Sequence, residues 1–129
     1  MAINHIYRFI KNPFWKYLGP EDILQAYCVS HILEDYPKLI WMHPPNEGKR
    51  TRFEQFKALV LGITPGIPDI LIFKSCKGFN GLAIELKSEK GRSTANQKAM
   101  QEKLKECGWC VLEIRTENDF KEALKHYLK

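Results

Sequence analysis

Long apolar runs are missing from this chain. None of its 129 residues belong to a stretch approaching the roughly 18 apolar residues that a membrane span needs, and MAINHIYRFI is too polar for a secretory signal. The expectation is a cytoplasmic protein (host cytoplasm if the source is viral) with no membrane partner. Cysteine is scarce and scattered: Cys28, Cys76, Cys107 and Cys110, with only CGWC as a close pair. There is no second CxxC, and His5, His31, His43 and His126 show no paired zinc spacing. A redox CxxC usually opens a helix, whereas this one leads into WCVLEI, a strand pattern, so the thiols read as reduced and unremarkable. GxGxxG and GxxxxGK are both absent, which argues against a nucleotide cradled by a glycine-rich loop. Repeats, low-complexity tracts and linkers are absent too, so residues 1–129 are expected to form one domain.

What is present is an ordinary globular composition, 44% hydrophobic and 27% charged, long enough for a single core. The net charge of +5 and a pI near 9.0 make an anionic partner plausible, and nucleic acid is the commonest for a small basic domain. Residues 1–18 carry aromatics without a clean period and are expected to pack on the core or at a subunit contact. From Pro20 the pattern turns helical, with Glu21 and Asp22 in the first turn, and should stop by Tyr36. KLIWMH reads as a strand ending in the PPNEG turn. TRFEQFKALVLG reads as a helix with a Thr51/Glu54 capping box and a closing Gly62. DILIF and GLAIELKS form two strands, followed by a helix from Thr94 to Cys107, the strand WCVLEIR and the helix ENDFKEALKHYL. One α/β domain around a mixed sheet, flanked by helices, is the economical fold.

The two strands GIPDILIF and GLAIELKS each carry charge where a plain core strand has none. Alternation puts Leu82, Ile84 and Leu86 on one face and Ala83, Glu85 and Lys87 on the other. If the strands pair as a hairpin, Asp69 approaches Glu85, and two carboxylates about 4 Å apart repel by around 4 kcal/mol at an effective dielectric of about 20. That calls for a cation or a shared proton. Two carboxylates plus a backbone carbonyl such as that of Leu86 suit Mg²⁺ or Mn²⁺ better than zinc. Lys87 beside such an ion can hold a water or a phosphate oxygen, which is the chemistry of metal-assisted phosphodiester cleavage. E-x-K alone is common by chance and reads equally as a solvated sheet face with a Glu–Lys pair. A preceding PD, in an apolar strand of a basic protein, turns the balance toward the site.

Basic residues flank this constellation. Lys49, Arg50 and Arg52 concentrate where a turn enters a helix, and Lys90 and Arg92 lie just beyond the E-x-K strand. Any one of them reads as solvated surface, while two clusters around one metal site suggest a DNA-binding groove. His43, beside PPNEG, is the one histidine near that groove.

GIPD…IELK resembles the PD-(D/E)XK nuclease signature, and the wider pattern resembles the VRR-NUC family within it, particularly its small stand-alone phage and bacterial members. The resemblance runs from Glu21 to near the C-terminus: Glu21 and Gln25 on an early helix, Pro45 to Arg50, Gly62 to Asp69, Gly81 to Lys87, and Gln97. Where the family often has SPEQ, this chain has STANQ. The resemblance implies a restriction-endonuclease-like αβββαβ core, in agreement with the order read above. It implies Asp69 and Glu85 as metal ligands, Lys87 orienting the attacking water, Glu21 reaching the metal through its hydration shell, and Gln97 positioning Lys87 or the phosphate. Thr94 and Gln97 also form a capping box, and Glu21 also suits a helix dipole, so both have structural readings as well. The activity implied is that of a structure-selective DNA endonuclease acting as a Holliday-junction-resolvase-like homodimer on branched or junction DNA. The alternative is a non-catalytic nucleic-acid-binding module on the same fold.

Overall fold

The computed structural model describes residues 4–45 and 51–129. Helix α1 (Asn4–Ile10) and a 3₁₀ turn (Pro13–Tyr17) precede α2 (Pro20–Asp35). There follow β1 (Trp41–Met42), α3 (Arg52–Leu61), β2 (Ile70–Ile72), β3 (Leu82–Leu86), α4 (Ala95–Glu106), β4 (Cys110–Ile114) and α5 (Glu117–Leu128). The four strands form one mixed sheet in the order β1-β2-β3-β4. β1, β2 and β3 run antiparallel, and β3 and β4 run parallel across the α4 crossover. Among the described residues, no helix is long and apolar enough to cross a membrane.

One face of the sheet carries the main core. Ile70, Ile72, Leu82, Ile84 and Leu86 pack with Cys28 and Ile32 of α2 and with Phe120, Leu124 and Tyr127 of α5. The spacing of Phe120, Leu124 and Tyr127 puts all three on one side of α5, which explains why that helix docks there. Desolvation inside this core pushes the Cys28 thiol up to about 12, so it behaves as a small apolar group. The opposite face of β3 is covered as well, because every residue from Gly81 to Lys87 is buried.

The elements appear where the sequence puts them, with shorter ends. The strand expected over KLIWMH keeps only Trp41 and Met42 in the ladder. Its start is spent in a turn, in which Leu39 N–H donates to the Tyr36 carbonyl, and Pro44 and Pro45 beyond it have no N–H to offer. Thr51 and Thr94 cap α3 and α4, each accepting from the N–H three residues on, and Gly62 closes α3 in a left-handed conformation. The N-terminal aromatic segment, unreadable from its pattern, packs on α2.

Candidate active site

The hairpin register places Ile70 opposite Ile84, and both pairs of even-numbered residues face one another across the β2–β3 ladder. The next such pair would be Pro68 with Leu86. Pro68 is buried and has no N–H, so it cannot donate to the Leu86 carbonyl as a ladder residue would. The Leu86 N–H donates to the side chain of Asp69, whose Oδ2 accepts it at 2.7 Å. The Asp69 carbonyl, facing β1, is bonded to the ring Nδ1 of His43 at 2.6 Å. Asp69 is thus fixed by its backbone and its carboxyl at the end of the sheet, where Leu86 lines a polar pocket of about 310 Å³.

Glu85 lines the same pocket and is only 1% exposed. Its pKa is pushed up to about 8, chiefly by burial, then by the charge of Asp69 and a hydrogen bond with it that requires Glu85 to carry the proton. Lys87 pulls in the opposite direction and Glu21 adds to the rise. Glu85 Oε2 accepts from Gln97 Nε2 at 3.2 Å and lies 3.8 Å from Lys87 Nζ. Glu85 Oε1 is buried with no donor among the described groups. An acceptor in that position is costly unless a proton or a cation sits against it.

Lys87 is 5% exposed, and its Nζ donates to Gln97 Oε1 at 2.8 Å. The same oxygen accepts the Thr94 N–H at 2.8 Å, closing the capping box of α4. Gln97 thus closes the capping box and at the same time contacts both Lys87 and Glu85. Its place depends on Gly66, where the preceding loop meets α4. A Cβ built at Gly66 would stand 2.5 Å from the Asn96 carbonyl oxygen, and the φ of +79° is itself one that favours glycine.

Glu21, Asp22 and Gln25 come from the first two turns of α2 and line the pocket opposite. Their spacing, i, i+1 and i+4, keeps them on one side of the helix. Glu21 is exposed, and a Cβ at Gly91 would come within 3.5 Å of both Glu21 Oε2 and Lys87 Cδ. Glu21, Asp69, Glu85, Leu86, Lys87 and Gln97 are thereby gathered at one end of the sheet. Arg52, Lys90 and Arg92 are exposed, the first opening α3 and the other two on the loop after β3. Lys49 and Arg50 lie outside the described residues.

Two contributors were not legible in the sequence. Arg115 donates through Nη1 to the carbonyls of Ser88 and Gly91 at 2.7 and 2.8 Å, stapling the loop that follows Lys87, and its Nη2 pairs with Glu113 at 2.5 Å. Nothing in IRT marks it, because its partners are backbone carbonyls distant in sequence. Asp22 carried only the signal of a first-turn acid, and its Oδ2 does accept the Gly19 N–H at 3.0 Å.

Among the described residues, no three His, Cys, Asp or Glu side chains are gathered into a ready-made metal site. The donor set is instead two carboxyls, a backbone carbonyl and a more distant acid. Hard oxygen donors of this kind, with one buried carboxyl oxygen lacking a partner, fit Mg²⁺ or Mn²⁺, which keep several waters in their shell.

No family model and no curated protein matches this sequence. Among solved structures, one named "VRR_NUC domain protein" superposes with a TM-score of 0.68, covering 86% of this chain and 89% of that one at 23% identity. The likeness is one of fold: a single α/β unit in which helices flank a four-stranded mixed sheet.

Proposed function

We propose that this protein is a divalent-metal-dependent, structure-selective DNA endonuclease, active as a homodimer on four-way junctions. The observation that carries this reading is the Asp69–Glu85 pair lining one pocket, with a buried Glu85 oxygen that has no donor among the described groups and, 3.8 Å from the other Glu85 oxygen, a Lys87 ammonium held by Gln97. Asp69, Glu85 and the Leu86 carbonyl would hold Mg²⁺ or Mn²⁺, with Glu21 reaching its water shell. The bound ion supplies the charge that polarises a phosphodiester and makes a water more acidic. Lys87 presents its remaining N–H donors to the attacking water and a non-bridging phosphate oxygen, and Gln97 keeps that ammonium from swinging away. Water adds to phosphorus as the bond to the leaving oxygen breaks. Arg52, Lys90 and Arg92, with Lys49 and Arg50, would grip the flanking phosphates, a contribution that weakens with salt. The fold shared with a VRR_NUC domain protein supports the same reading.

Helix α3 supports the homodimer. Phe53, Phe56 and Val60 are 69%, 63% and 64% exposed at helical spacing, and of the ten residues only Ala58 is buried. A ten-residue helix without packing is marginal in water. Beside it lies an apolar cavity of about 270 Å³ lined by Met42, Pro44, Ile63 and Leu71. Projecting aromatics and a socket on one side of the molecule can be exchanged reciprocally across a two-fold axis.

The test is incubation with labelled four-way junction, flap and linear duplex DNA in Mg²⁺, Mn²⁺ or chelator. Metal-dependent cleavage is expected, with paired symmetric cuts in the junction. Binding without cutting under every condition would instead favour a non-catalytic module.

A further inference from the structure

A second cavity, of about 500 Å³, opens between the N-terminal segment and α2. Its walls are Phe9, Phe14, Trp15 and Leu18 on one side and Ala26 and Val29 on the other. It adjoins the acidic pocket directly, since Asp22 and Gln25 line both. His43, which also lines it, is the residue bonded to the Asp69 carbonyl. The segment that forms the aromatic wall contains Arg8, Lys11 and Lys16 and no acid between residues 4 and 18. The Arg8 guanidinium lies 5.0 Å from the Phe9 ring centroid, and Lys16 Nζ is 5.4 Å from that of Tyr17.

A flat apolar ligand joined to negative charge matches these aromatic walls and the cations carried by the same segment. Aromatics interleaved with cations, as in the segment 4–18, form the surface on which an unpaired nucleic-acid strand stacks its bases while its phosphates meet lysine and arginine. Asn12, Asp22 and Gln25 add hydrogen-bonding groups at the rim suited to a base edge. A base inside a duplex cannot reach such a cavity without leaving its stack, and one that is already unpaired enters at lower cost.

We infer that this cavity receives one unpaired nucleobase next to the phosphate held in the acidic pocket, so that single-stranded character at a branch point is read by direct stacking. The inference rests on the nuclease reading above and names how that site would select its substrate. It assigns the N-terminal segment a place in substrate recognition.

The test is a binding series in Ca²⁺ with a flap substrate in which each nucleotide near the branch is replaced, one at a time, by an abasic site. Metal-dependent cleavage is mapped in parallel on the unmodified flap. Stacking one base on aromatic side chains corresponds to roughly a tenfold change in affinity. One position beside the mapped cut is expected to show that loss in the wild type, with its neighbours unaffected, and Trp15→Ala should abolish the difference. Phe14→Ala serves as the second variant because Phe14 is 75% exposed and the fold does not depend on it. A flat abasic series with cleavage intact overturns the inference alone. Persistence of the loss in both variants overturns it too, because the base would then be read elsewhere, as does a concentration-dependent mass that vanishes in Phe14→Ala, because a second copy would then fill the cavity. Absence of cleavage of both the flap and a four-way junction in Mg²⁺ and Mn²⁺ overturns the nuclease reading, whatever the abasic series gives.

Discussion

The ammonium of Lys87 donates to the side-chain oxygen of Gln97 at 2.8 Å, and the same amide reaches back through its nitrogen to Glu85. A residue on a helix thus bridges two titratable side chains on a buried strand.

Removing that amide should separate positioning from capping. Thr94→Ala loses the Oγ1 acceptor of the Gln97 N–H and should cost about 1 kcal/mol of stability with little effect on cleavage rate. Gln97→Ala should cost a similar amount of stability and, in addition, lower kcat by about tenfold or more, because the Lys87 ammonium loses the partner that orients it. Thermal melts and single-turnover cleavage of the two variants check this; equal rates would leave Gln97 as a helix cap alone.

The raised pKa of Glu85 fixes the sign of a pH effect. Between the ordinary 4.5 and about 8 the folded chain keeps a proton that the unfolded chain has lost. The metal-free protein should therefore lose stability as pH rises through that window, by a few kcal/mol in total, with no further change from this group above it. Glu85→Gln should flatten that part of the profile and be more stable than the wild type at pH 8 without metal. On the proposed metal-site reading, saturating Mg²⁺ should restore wild-type stability at high pH by binding the ionised pair. Melting temperature against pH, with Mg²⁺ or chelator, measures all three.

Gly66→Ala should disturb the site from outside it. The added methyl would meet the Asn96 backbone at a φ of +79°, costing on the order of 1–3 kcal/mol and pushing the start of α4, with Gln97, away from Lys87. The expected result is a lowered melting temperature together with a lowered kcat, whereas Gly78→Ala, with nothing within 4 Å of its built Cβ, should affect stability only.

Phe56→Glu should turn a dimer into a monomer, because it puts a charge in the middle of the exposed face of α3. Light scattering coupled to size exclusion reads this directly. A monomeric mass for the wild type would remove α3 as a subunit contact.

The sequence was most informative where local chemistry and packing agree. The threonine caps, the closing Gly62 and the spacing of Phe120, Leu124 and Tyr127 each act within a few residues, and the helices start and stop at them. The approach of Asp69 to Glu85 followed from strand pairing alone. What could not be read depends on partners far along the chain: Arg115 on the carbonyls of Ser88 and Gly91, His43 on that of Asp69, and Gly66 beneath Asn96. The N-terminal aromatics had no period because they pack as a short helix and a 3₁₀ turn around a cavity, with no continuous stripe to reveal.

The central claim is that the Asp69–Glu85 pocket cuts DNA with a bound divalent ion. The most direct measurement is the cleavage of a labelled four-way junction by wild type and Glu85→Ala in Mg²⁺, with chelator as control. Cutting by the wild type in Mg²⁺ only is expected, with a loss of at least a hundredfold in Glu85→Ala, since removing one proposed ligand would cost several kcal/mol of transition-state stabilisation. Equal cutting by both proteins, or cutting that survives chelation, would contradict that claim.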